Sequence, residues 1–230
     1  MIAGAVATQG LIFSPILLAE NIDIELTNLT QGLYFTPLLF SVHDESTHLY
    51  QLGQPASAEL QAMAEGGDIS GLQGLIDAAG GVNVEDSEPE VLAPASSTQI
   101  LDLEVDSASF LSITGMILPT NDGFVALNGW KIPSEAGTYT IYLNAYDAGT
   151  EANDEIVNGG GASGTPGIPA NPGANGGVDA TGVTFDEANT MIHVHRGNVG
   201  DTDLAGGSSD LDSRIHRWLN PVAKVTVTVN

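Results

Sequence analysis

The sequence predicts an all-β fold, a β-sandwich with two short helices capping one end. Three observations carry that expectation. Ile22, Ile24 and Leu26 alternate with Asp23, Glu25 and Thr27, and Val225, Val227 and Val229 alternate with Thr226 and Thr228, the two-residue period of strands with one wet face. Gly137 to Ala145 sets Tyr139, Ile141 and Leu143 on one side in the same way. The stretch from Gly115 to Glu155 breaks twice at polar turns: an apolar run stops at Pro119, turns through Asn121, Asp122 and Gly123, resumes at Phe124, and later ends on Asp147 ahead of a crowd of acidic residues. Terminal loops of short strands gather polar groups at one edge, so both breaks are expected to bring a carboxylate to one rim of the sandwich.

Taken in order, residues 1–20 (MIAGAVATQGLIFSPILLAE) are apolar and almost uncharged. They lack the basic start of a secretory signal, and Gln9 and Pro15 make a poor membrane span. Three readings stand: a signal remnant, an extra strand, or an arm that pairs with a neighbouring copy. The first two are preferred because only exposed apolarity speaks for the arm. Residues 21–230 are read as one domain, long enough to bury a core without disulfides. Its first strand runs from Ile22, and Asn28-Leu29-Thr30, although it matches a glycosylation acceptor, is read as the strand's end. Tyr34 to Val42 is a second strand broken by Pro37. Pro55 opens a helix with Leu60, Met63 and Ala64 on one stripe and Gly66-Gly67 as its stop. Asp68 caps a second helix carrying Ile69, Leu72, Leu75 and Ile76, weakened by Gly71 and Gly74. The acidic run at 85–90 reads as a solvated loop. Strands follow at Gln99 to Val105, Ser109 to Leu118 and Gly137 to Ala145. The Gly/Pro-rich segment at 158–183 has no periodicity and too little apolar surface to offset the entropy of ordering it, so it is expected as a long surface loop. Asn189 to Arg196 and Val222 to Val229 supply the last strands.

Charge narrows the function. The chain carries 29 acidic against 5 basic residues, a formal −24, with Lys131 and Lys224 its only lysines. Such a surface repels nucleic acid phosphates and anionic lipid alike, so nucleic acid is excluded as a partner and a membrane disfavoured. The acidity suits a salt-rich or calcium-rich exterior, or simply solubility. The absence of cysteine removes disulfides and thiolate metal sites.

Among chemical motifs, His193 and His195 lie two apart on an expected strand and share a face, a spacing that could hold zinc but lacks a third ligand; hydrogen-bonded or surface histidines are the preferred reading. No GxSxG elbow, reactive cysteine or phosphate-cradling glycine loop occurs. Paired carboxylates for glycoside chemistry are too easily chosen in so acidic a chain to count as a signal. What remains is a set of oxygen ligands: Asp102 or Glu104, Asp122, Asp147, and the trailing Glu151, Asp154 and Glu155. Calcium takes six to eight oxygens in irregular geometry and suits strand-end loops, whereas scattered solvated carboxylates are the alternative.

The stretches NLTQGLYFTPLLFSVHD, LGQPASAELQAMAEGGDISGL, SFLSITGMILPTNDGFVALNG, YDAGTEANDE, HVHRG and NPVAKVTV, in this order from about Ile22 to the end, resemble the spondin N-terminal domain in the form found singly in bacterial exported proteins. The resemblance implies an antiparallel, C2-like β-sandwich, an extracellular or cell-surface setting, and a calcium ion at one end. Motif for motif, its ligands fall on Asp122, on Asp147 and, with one gap, on Glu104, for which Asp102 could substitute. The chain departs from the animal domains in carrying Gly123 where they have Trp and in lacking their cysteines. The implied function is a secreted, non-catalytic, calcium-binding module that adheres to a cell-surface or matrix component, protein or glycan. The alternatives are a subunit of an extracellular filament assembled through residues 1–20, and a C2-like domain that binds membranes with calcium.

Overall fold

The computed structural model describes residues 19–85, 91–106 and 109–230. The three readings of the N-terminal segment fall on residues 1–18 and lie outside the described residues, as does most of the acidic run at 85–90.

Ten antiparallel strands and two short helices make up the regular structure of the described residues. Strand β1 (Ala19–Asn28) alternates as expected, with Ile22, Ile24 and Leu26 buried. It ends on Asn28, a buried side chain whose Nδ2 donates to the carbonyls of Leu33 and Leu92 and whose Oδ1 accepts from the Thr30 N–H, so this asparagine is a turn fastener and no open glycosylation acceptor. Pro37 splits the next run into β2 (Tyr34–Phe35) and β3 (Leu39–His43). Helix α1 (Ala58–Gly66) starts three residues later than Pro55 predicts, because the hydroxyl of Ser57 accepts from the Leu60 N–H and caps the first turn. Helix α2 (Ser70–Ala78) has Ile69 at its cap position, and Asp68 accepts instead from the N–H and hydroxyl of Ser70.

A short strand absent from the sequence reading, β4 (Val82–Glu85), pairs with β3. Strands β5 (Ser97–Asp106), β6 (Phe110–Leu118), β7 (Gly123–Lys131), β8 (Gly137–Asp147), β9 (His193–Val194) and β10 (Ala223–Val229) complete the set. The hydrogen-bonded path runs β4-β3-β6-β7-β8-β10-β1-β5, with β2 on β6 and β9 on β8.

Every long strand turns one face inward. Ile22 and Leu26 of β1, Ile100 and Val105 of β5, Ile113 of β6, Val125 of β7, Leu143 of β8 and Val225 to Val229 of β10 meet in one cluster, each buried aliphatic contributing about 1.5–3 kcal/mol. The helices add a second cluster: Leu60, Met63, Leu72 and Ile76 lie on Leu39, Met116, Phe124 and Ala126. They cover the outward face of β3, β6 and β7, where the sequence reading put them over one end, because that half of the sheet is apolar on both sides.

From Ala148 to Ile192 the chain has no regular strand or helix, and its order comes from buried carboxylates that collect backbone N–H groups. Glu155 accepts from the N–H groups of Val199 (2.6 Å) and Gly200 (2.8 Å) and from the Ser209 hydroxyl. Asp210 accepts from Val157 and Ala180. Within the Gly/Pro-rich segment the N–H groups of Gly164, Gly167 and Ala180 donate to Glu65, Glu151 and Asp210, so polar pins hold it rather than apolar burial, with Ile168 as its buried apolar anchor.

Candidate metal centre

The register of β7 and β8 creates the rim. Gly123 pairs with Asp147, and the Ala148 N–H donates to the Asp122 carbonyl, so the residue before β7 and the last residue of β8 are neighbours. The turn into β7 is locked by Thr120, whose hydroxyl donates to the Ile117 carbonyl at 2.6 Å and accepts from the Gly123 N–H. A Cβ at residue 123 would stand 2.6 Å from that hydroxyl oxygen, which explains why this chain has glycine there and no large residue. On the other side Asp147 Oδ1 accepts from the Gly149 N–H at 2.9 Å. Gly149 sits at φ +70° with a would-be Cβ 2.6 Å from the Thr190 carbonyl carbon, so glycine is required in the YDAGT turn.

Asp122 and Asp147 are both buried. Asp122 Oδ2 accepts from the N–H groups of Thr150 (2.8 Å) and Glu151 (3.1 Å) and from the Thr150 hydroxyl, while Oδ1 is buried without a hydrogen-bond partner. Burial, then the charge of Asp147, pushes the Asp122 carboxyl up to about 7 against those hydrogen bonds. Burial also raises Asp147, opposed by its bonds from Asn153 and Gly149 and by nearby His193. Burial raises Glu151 to about 7 as well, and its Oε1 is likewise buried and unpartnered. Asp122 and Asp147 forced together, with the orphaned oxygens of Asp122 and Glu151 beside them, fit a cation: its charge would offset both the desolvation and the mutual repulsion.

The remaining expected ligands separate. Glu104 pairs with Asn21 on β1, and its neighbour Leu103 connects through Ile22 and Val229 to Gly137, the opposite end of β8 from Asp147. At roughly 3.3 Å per residue the ten steps along β8 put it on the order of 30 Å away. Glu104 lines a different cleft, with His43, Asp44 and Asp106. Of the three expected ligands, the structure thus brings Asp122 and Asp147 together and leaves Glu104 apart. Asp102 is excluded for the same reason; it occupies a β-bulge at φ +55°, its N–H donating to Asp23. Asp154 accepts from Asn121 Nδ2, and Glu155 turns away to its loop contacts.

Both histidines do face Asp147, with His193 Nε2 at 3.7 Å and His195 Nε2 at 3.9 Å from its Oδ2. His195 Nδ1 accepts from the Gly197 N–H, which places the neutral ring's proton on Nε2 and leaves that nitrogen without a lone pair for a metal. Burial depresses His195 to about 3. His193 Nδ1 bonds the Met191 carbonyl, so Nε2 is the nitrogen turned toward the carboxylate. Sequence reasoning missed Asn153, whose Nδ2 bridges Asp147 Oδ2 (2.8 Å) and Glu187 (3.0 Å); its position inside YDAGTEANDE was the available signal. Among the described residues no three His, Asp or Glu side chains form a ready metal-holding group.

The Spondin_N family model matches residues 27–156, more than half of the chain, spanning both helices and β2 through β8. A comparison with curated proteins finds no match.

Proposed function

The chain belongs to the spondin N-terminal domain family, and from that premise we propose that it is a secreted, calcium-binding module that adheres to a cell-surface or matrix component. Domains of this family are in general extracellular and non-catalytic. The calcium reading is supported above all by the Asp122 carboxylate, buried beside a second carboxylate with one oxygen unpartnered. Asp122 and Asp147 would hold the ion, with Glu151, whose N–H already binds Asp122, as the neighbouring carboxylate and backbone carbonyls and water filling the rest. Bound there, calcium would supply positive charge that fixes the loops from Ala148 onward; no reaction is assigned to it.

Melting curves in calcium and in chelator test this. An ion that binds only the folded state stabilises it by about 2.7 kcal/mol at a hundredfold excess over its dissociation constant. Loss of either Asp122 or Asp147 should remove the gain, and an unchanged midpoint for the parent chain at millimolar calcium would sink the proposal.

Calcium-dependent membrane binding is a second reading, favoured by one observation. Phe185 is 71% exposed and lines a cleft with Glu151 and Asp154 near the rim, the placement of an apolar residue that could enter a bilayer. Cosedimentation with anionic liposomes in calcium, lost in Phe185→Ala, would support it; the −24 charge argues the other way.

A further inference from the structure

We propose that the cleft between β7 and β8 binds an uncharged oligosaccharide, at a site separate from the acidic rim. The two strands pair only where Gly123 to Ala126 meets Asn144 to Asp147. Before Asn144, β8 stays with β10, and after Ala126, β7 stays with β6, so the strands part and leave a cleft of about 490 Å³, the size of a small-ligand site. Leu143 and Ala145 enter the core, so Tyr142, Asn144 and Tyr146 project together from the other face of β8 into the cleft. The facing wall is the segment with His48 and Gln51. It is held to β7 by Asn128, whose Oδ1 accepts from the Leu49 N–H at 3.1 Å and whose Nδ2 donates to the Tyr50 carbonyl at 2.6 Å.

Charge identifies the ligand class. The chain carries 29 acidic side chains, yet no carboxylate, ammonium or guanidinium among the described residues lines this cleft, whereas two further clefts carry Asp44, Glu104 and Asp106 or Glu151 and Asp154. An anion would be repelled by the surrounding surface, and a cation would be drawn to the carboxylate-lined clefts. The ligand that matches is neutral, with flat apolar faces and a polar rim. Tyr142 is 61% exposed and offers a rigid ring for the C–H face of a sugar. The side chains of Gln51, Asn144 and His48 make no hydrogen bond among the described residues, and they supply donors and acceptors for hydroxyl groups. None of these residues belongs to the acidic pair, so this site and the calcium site fail or succeed independently.

The test is titration of the isotope-labelled full chain with cellohexaose, xylohexaose, mannohexaose and maltohexaose, with dextran sulfate as an anionic control, in calcium and in chelator. At least one neutral hexasaccharide is expected to shift the backbone resonances of residues 48–52 and 142–146, and dextran sulfate is not. Tyr142→Ala and Gln51→Ala, both at exposed positions, should each weaken binding about tenfold or more with an unchanged melting temperature. Silence of these resonances at about 10 mM of every hexasaccharide, or binding unaffected by Tyr142→Ala, overturns the proposal. So does a neutral Ser/Thr hexapeptide that acts where no saccharide does, which would reassign the cleft to strand addition along β8.

Discussion

Replacing Asp122 with Asn separates the cost of a buried charge from the gain of a bound ion, and the two have opposite signs. The variant keeps the side chain's shape, and its amide oxygen can still accept from the Thr150 and Glu151 N–H groups. Its amide nitrogen replaces the unpartnered oxygen and becomes a donor beside Asp147. In the parent chain the carboxyl is displaced from 3.8 to about 7, so above pH 7 it is ionised at a ceiling cost of roughly 4 kcal/mol, taking about 1.4 kcal/mol per unit. In chelator at pH 8 the variant should therefore melt above the parent, at about 2–4 °C per kcal/mol for a chain of this size, by several degrees and by no more than about 15 °C. In excess calcium only the parent gains, so the gap narrows by about 2.7 kcal/mol at a hundredfold excess and closes near a thousandfold excess, where the gain reaches about 4.1 kcal/mol. Paired thermal melts by circular dichroism read both arms. A variant less stable than the parent in chelator at pH 8, or one showing the parent's calcium shift, refutes the reasoning.

Other consequences follow from the same geometry. In chelator, Asp122, Glu151 and Asp147 hold protons more tightly folded than unfolded, so the stability they contribute is full below their unfolded pKa and is lost as pH rises, through about 7 for Asp122 and Glu151. His195, depressed to about 3, and His216, also lowered by burial, act in reverse: their contribution is lost as pH falls below about 6.5. Above about pH 6.5 only the carboxylate loss remains, so the metal-free melting temperature should fall from there to about pH 8, and a steady rise over that range would contradict this. Glu104→Gln is expected to leave the calcium-induced shift intact, checked by the same melts, since Glu104 lines the far cleft. Gly149→Ala should cost about 1–3 kcal/mol from its positive φ, with more from the clash at Thr190, read as a lowered melting temperature. Glu155→Gln leaves one of three donors facing an amide nitrogen, an expected loss of about 1–3 kcal/mol, visible as faster amide exchange at Val199 and Gly200.

Strands with one wet face are legible from sequence because burial alternates with the pleat, and β1, β8 and β10 begin or end within a few residues of where alternation places them. The short strand β4 escapes because its four residues are all partly exposed and it exists only by pairing with β3. The buried pins Glu155 and Asp210 escape for a related reason: a carboxylate that will collect loop N–H groups looks in sequence like any solvated acid. Asp122 and Asp147 were readable as rim residues, since each closes an apolar run at a turn. Glu104 was assigned by motif position, and the bulge at Asp102 and the pairing through β1 and β10 carry it to the other end.

Local pattern along the chain thus decides which residues form strands, which face each strand buries, and where turns place a charge, because those depend on neighbours a few positions away. Which of those charges meet is a different matter. It depends on the register and direction of hydrogen-bonded strands up to a hundred and more residues apart, and on burial that turns two ordinary aspartates into a repelling pair. The uncharged cleft is likewise a product of where β7 and β8 stop pairing, a property of the assembled sheet that neither strand carries alone.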